Sequence, residues 1–220
     1  MSDTLKIIDD AEKNFKDLWE RNDSDAKLAY LDEYTLKTTA DKDIPNVVSV
    51  TMNDPAIFLN AIVSLIMAAV WQTEVEGDMP NKQKTLIENF LNDCWSQADE
   101  RYKRRAKAGV LAFFANHICV RGWIGAKWLF EGKERIPLCQ PVDMRYCPYE
   151  MGPDGLEWIA PKTWRSKAAI KAEYDKDVAQ DDTPVIDFWD REINEVWVGK
   201  EKVLEQKNPF NKPPFEIQAA

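Results

Sequence analysis

The run from Val185 to Val198 constrains the fold of this chain more than any other segment. Val185-Ile186-Asp187-Phe188-Trp189 and Val196-Trp197-Val198 are short and rich in β-branched and aromatic residues, and the polar stretch Asp190 to Asn194 separates them. That pattern predicts a β-hairpin. Asp190 and Asn194 suit its turn because Asp and Asn side chains bond nearby backbone. No reaction requires tryptophan here, whereas a packed sheet does. Trp123, Trp128, Trp158 and Trp164 also fall in the second half. Tryptophan is favoured where surfaces meet, so Trp189 and Trp197 are expected as interface aromatics.

A length of 220 residues fits one large domain or two small ones, and an apolar share of 45% supports a sizeable core. The net charge of −9 argues against a protein that lives by avid phosphate contacts, though not against a ring that guides DNA without gripping it. The charge is uneven, because residues 101–135 carry 9 basic and 2 acidic side chains. Cys94, Cys119, Cys139 and Cys147 form no CxxC pair. The start, Met1-Ser2-Asp3-Thr4, is polar and acidic, unlike a secretory signal. Reduced thiols are therefore expected. The apolar run Ala56 to Trp71 spans 16 residues and includes Asn60 and Ser64. A membrane span needs about 20 apolar residues, so a buried helix is the expectation.

Apolar residues recur at helical spacing over 5–38, with a break expected at Asn22-Asp23-Ser24. Asn53-Asp54-Pro55 predicts a helix start, with Asp54 accepting from the first amides and Pro55 in the first turn. This helix, apolar nearly all round to about Ala69, is expected to be central. A short strand is expected over 71–76. Asn81 is expected to cap a long helix through Tyr102, and helix resumes over 110–119. From Val120 the period changes to that of strands, at 122–130, 135–138, 146–150 and 156–160. A short helix from Ser166 to Tyr174 interrupts them, and a meander follows over 185–190, 195–198 and 202–206. Prolines Pro209, Pro213 and Pro214 predict an extended tail. The fold class is α+β: N-terminal helices, including a buried apolar one and a long one, then an antiparallel sheet or meander with one inserted helix. The expected division is an N-terminal helical segment over 1–45 and an α+β domain over 46–220, with helices over 54–119 and mainly strands over 120–220.

The residues offer no catalytic set, and no enzyme activity, metal or cofactor is expected. His117, the only histidine, sits late in an apolar helix, and Cys119, two residues on, points elsewhere on it. His117 with Cys119, Cys139 and Cys147 lacks the convergent spacing of a zinc site. Asp187, Asp190 and Glu192 offer carboxylates, but Asp190 falls in the hairpin turn. Gly122-x-x-Gly125 lacks the lysine and setting of a phosphate loop. The basic cluster Arg101, Lys103, Arg104, Arg105 and Lys107 is the main candidate for contact with a subunit or with nucleic acid. Asp99–Lys103 and Glu100–Arg104 pairs on one helix are its plainer reading. A basic strip meeting the acidic face of an identical subunit is physically natural in a ring.

Four stretches, in order, resemble the N-terminal part of tailed-bacteriophage portal proteins. They are Val50-Thr51-Met52-Asn53-Asp54-Pro55 entering an apolar helix; Ala98-Asp99-Glu100-Arg101-Tyr102-Lys103-Arg104-Arg105 followed by Leu111 to Trp123; Pro141-Val142-Asp143-Met144-Arg145-Tyr146 with Gly155-Leu156-Glu157-Trp158; and Phe188-Trp189-Asp190-Arg191-Glu192 through Pro213-Pro214-Phe215. The resemblance covers about two-thirds of the chain. It implies a structural protein of the virion, assembled in the host cytoplasm into a ring of copies at a capsid vertex. DNA passes through that ring during packaging and ejection, and a terminase motor, the capsid and head-tail connector proteins are the implied partners. The segment corresponds to the peripheral wing. Family members continue into stem, clip and crown regions beyond the position of Ala220, so the chain is expected to be a fragment. Asn208-Pro209-Phe210-Asn211 departs from the glycine-containing turn of the family. The alternative readings are a nucleic-acid-binding module using residues 101–107 and a metal-dependent enzyme using Asp187, Asp190 or Glu192.

Overall fold

The computed structural model describes residues 3–219 except 33–34, 41, 49, 70–71, 106 and 133–135. The architecture is α+β, with helices first and antiparallel strands after. The chain divides into two compact units. One holds residues 18–123 with residue 219, and the other holds residues 3–17 and 124–218, in each case the described ones.

The helical unit is built from the rest of α1 (Asp3–Ala29), α2 (Asp54–Ala68), α3 (Asn81–Lys103) and α4 (Val110–Arg121). The break expected at Asn22-Asp23-Ser24 does not occur, and α1 is continuous through it. Asn22 is buried, its carbonyl accepts from Arg121 Nη1 at 2.9 Å, and Asp23 lies 3.7 Å from the same guanidinium. This tertiary clamp outweighs the local preference of Asn, Asp and Ser for caps and turns. Helix does not continue to residue 38 either. It stops at Ala29, Leu31 takes a left-handed φ of 61°, and Lys37 bridges Asp43 across a small hairpin.

Helix α2 starts where Asn53-Asp54-Pro55 places it, with Pro55 in the first turn, but no side chain caps it. In α3, Asn81 is the first helical residue rather than the cap, which is Pro80. Residue 71 lies outside the described residues, and 72–76 form no strand. The largest departure concerns α2, which was expected to be buried. Only Ala56 and Leu59 are buried, while Ile57, Phe58 and Leu65 are largely exposed. The physical reason is that α2 packs chiefly on α4, and one neighbouring helix covers one stripe rather than a whole circumference.

In the sheet unit, β1 (Trp123–Glu131) pairs antiparallel with β2 (Ile136–Val142). The remaining elements are β3 (Tyr149–Gly152), β4 (Gly155–Ile159), β5 (Lys162–Arg165), α5 (Lys167–Tyr174), β6 (Thr183–Trp189), β7 (Ile193–Val198), β8 (Glu201–Lys207) and β9 (Phe215–Ala219). Two sheets result, ordered β2-β1-β9 and β3-β4-β6-β7-β8, with β5 also on β6. Residue 135, placed in a strand by the sequence pattern, lies outside the described residues. Ser166 caps α5 as its position predicts, accepting from the Ala169 amide at 3.3 Å. Strand β5 is additional. The tail expected after Pro214 forms β9, seated when the Trp128 amide donates to the Pro214 carbonyl at 2.8 Å.

The hairpin β6–β7 is covered on both faces. Ile186 opposite Trp197 and Phe188 opposite Glu195 face one way, where Leu5 and Ile8 of α1 pack with Trp158. Val185, Val196 and Val198 face the other way, against Ile170 of α5. A strand buried on both faces reads as a near-continuous apolar run, which is what 185–189 and 196–198 show. Between them Asp190 Oδ1 accepts from the Glu192 and Ile193 amides, each at 2.7 Å, and tightens the turn to 190–192.

Glu195 is a charge inside this core. Burial pushes its carboxyl up, but hydrogen bonds from Lys202, Thr4 and Trp197 outweigh burial and hold it below the ordinary carboxylate value. A depressed folded-state pKa stabilises the fold above the unfolded carboxylate pKa, and that contribution is lost as pH falls through the folded value. Glu195→Gln is therefore expected to flatten the acid limb of the stability profile while changing the slope near neutral pH little. Urea unfolding at a series of pH values measures both limbs.

Candidate functional site

The basic cluster sits where α3 ends and the chain turns into α4. Helix α3 stops at Lys103, and Gly109, at φ 103°, reverses the chain before Val110. Asp99 organises the corner. Its Oδ1 accepts from the Val110 amide at 2.7 Å, capping α4 from a distance of eleven residues, and its Oδ2 binds Lys103 at 2.7 Å. A side chain at 109 would meet Asp99 Oδ1 and Lys103 Cε at 3.1 Å, so both the turn and the close approach require glycine.

The cluster divides in two here. Lys103 is committed to Asp99 and also binds Glu100 at 3.2 Å; hydrogen bonds to these two carboxylates raise its pKa and keep it charged. The expected Asp99–Lys103 pair forms, while Glu100 pairs with Lys103 rather than with Arg104. Arg101 is half-buried. Arg104, Arg105 and Lys107 are exposed beyond the helix end. Among the described residues, no carboxylate lies within ion-pair distance of these three. Cations at a helix C-terminus also sit favourably against its dipole.

The carboxylates considered for metal or acid-base work do not converge. Asp187 is saturated by Lys127 Nζ at 2.6 Å, Trp189 Nε1 at 2.8 Å and Asn194 Nδ2 at 2.7 Å. Asp190 is occupied by the turn amides, and Glu192 is exposed on the turn. Among the described residues no group of His, Cys, Asp or Glu side chains is arranged to hold a metal ion. His117 Nδ1 contacts the Phe113 carbonyl at 2.9 Å, and its ring stacks on Phe113 at 3.7 Å. Cys139 and Cys147 are buried and Cys119 is exposed. Burial, then the charges of Asp143 and Asp187, pushes the Cys147 thiol well above its ordinary value, which opposes thiolate chemistry.

Trp189 and Trp197, expected as interface aromatics, are buried within the chain itself. Both are 5% exposed, and their indole N–H groups bond Asp187 and Glu195. Trp197 packs with Leu5 and Ile8 of α1, and Trp189 lies beneath Lys127 of β1, whose ammonium is 5.8 Å from its ring centre. Sequence reasoning missed Asp99 as a cap, because its partner amide lies in another helix, and Lys127 as the partner of Asp187, sixty residues away. The exposed apolar faces of α2 and α3 were legible only as hydrophobicity, which does not say which side is covered.

Among the described residues, no helix is long and apolar enough to cross a membrane. No protein-family model matches the chain, and no curated protein matches it.

Proposed function

We propose that this chain is the wing-like part of a portal-type ring protein of tailed bacteriophages, a structural component of the virion that other copies of itself complete. DNA passes through such a ring, with a terminase motor, the capsid and head-tail connector proteins as its neighbours. The ordered set of resembling segments carries the reading. The resembling stretches include the start of α2, the α3–α4 corner, the end of β2, the β6–β7 turn and the entry to β9. The exposed Arg104, Arg105 and Lys107 add a cationic knob to a chain of net charge −9, which suits contact with the acidic surface of another copy. Negative-stain microscopy of the purified chain at low salt is expected to show closed rings or arcs. Association should weaken as salt rises, and Arg104→Glu with Arg105→Glu should remove that salt-sensitive part. A strict monomer at all concentrations would sink the proposal.

The same exposed cations favour a second reading, a nucleic-acid-binding module. It requires a duplex DNA mobility shift at low salt with a steep salt dependence that the same double variant abolishes. Absence of any shift removes this reading and leaves the first intact.

A further inference from the structure

Two helix faces in the helical unit are apolar and turned to solvent. On α2, Ile57, Phe58 and Leu65 are 59%, 69% and 70% exposed, on the side away from the buried Leu59. On α3, Leu86 and Phe90, one turn apart, are 68% and 56% exposed. Scaled by whole side-chain areas, each face with its flanking residues offers about 400 Å² of apolar surface, within the roughly 300–600 Å² of the largest patch on a typical monomer, a patch that is often functional. That is close to the apolar share, a little over half, of the roughly 800 Å² each partner buries in a stable interface.

We infer that the α2 face of one copy docks on the α3 face of the next. Charge supports a second copy as the occupant. No ionisable side chain occurs from residue 55 to residue 73, so the α2 face offers a chain of net charge −9 a contact free of like-charge repulsion. Lys82 and Asp93 flank Leu86 and Phe90 on exposed positions of α3, giving that face a polar rim. Two different patches make the contact head-to-tail, so each copy keeps one patch for the neighbour on either side, as a ring requires. The choice of occupant rests on the assembly reading above. The contact itself is apolar and supplies the association that persists when salt has screened the cationic knob.

The test is sedimentation velocity on the whole chain at high salt, with Phe58→Asp and Phe90→Asp. Wild type is expected to associate, and each variant alone to lose association at least about tenfold, roughly the 1.4 kcal/mol step that defines a decade. Mixed together, the two variants should form dimers and nothing larger, because one intact α2 face and one intact α3 face remain. Helical circular dichroism checks that each variant is folded, and Phe58→Ser with Phe90→Ser replaces any that is not. Association unchanged in both variants would overturn this contact and leave the assembly reading standing. Folded variants that fail to pair when mixed would overturn the head-to-tail arrangement. Wild type that associates only at low salt would assign assembly to charge alone and overturn the contact, and a wild-type monomer at every salt would overturn both inferences.

Discussion

Asp187→Ala is expected to destabilise the sheet unit by about 3 kcal/mol or more, the range seen when one partner of a buried ion pair is removed. The loss is large because three donors converge on one carboxylate. Lys127, with its side chain 13% exposed, would keep its charge with no counter-ion at 2.6 Å, and the Trp189 indole and Asn194 amide would each lose an acceptor. The position also matters: Lys127 lies on β1 and Asp187 on β6, so the pair ties the three-stranded sheet to the six-stranded one. The ammonium also sits 5.8 Å from the Trp189 ring centre and 5.9 Å from that of Phe215 on β9. Lys127→Met combined with Asp187→Leu should recover most of the loss, since removing both charges leaves no orphan. Urea unfolding of the two single variants and the double gives the coupling directly. If the single variant loses less than about 1 kcal/mol, the pair behaves as a surface ion pair and the account is wrong.

Trp197→Ala is expected to cost about 3–5 kcal/mol, the range for deleting a large aromatic from a packed core. Its ring lies among Leu5, Ile8, Ile186 and Phe188, and its N–H satisfies Glu195 at 2.9 Å. Trp197→Phe separates the two contributions, keeping most of the volume and removing the bond to a buried carboxylate. Trp164 provides the contrast. It is 47% exposed and meets Tyr146 edge-on at 4.8 Å, so Trp164→Ala should cost about 1 kcal/mol. Thermal and urea unfolding distinguish a core tryptophan from an interface one. A Trp197→Ala chain of unchanged stability but altered association would restore the interface role.

Local chemistry carried much of the reading. The β6–β7 hairpin, the Ser166 cap, the start of α2 at Asn53-Asp54-Pro55 and the Asp99–Lys103 pair were all legible, because each depends on residues within a few positions of one another. The errors share one cause. The continuity of α1 through Asn22 depends on Arg121, the capping of α4 depends on Asp99, and β9 depends on a backbone bond from Trp128 to Pro214. The candidate site followed the same rule. The basic cluster was visible as composition, but only its packing separates the committed Lys103 from the exposed Arg104, Arg105 and Lys107.

By itself the amino-acid order determined the α+β class, helices before strands and the place of the hairpin turn, since periodicity and turn residues act over one or two turns of chain. The tertiary structure alone decided which apolar faces are covered. It turned Trp189 and Trp197 inward and left Ile57, Phe58 and Leu65 outward, although all five are hydrophobic. Burial is a property of what packs opposite a residue, and that partner is chosen by long-range contacts that no local pattern encodes.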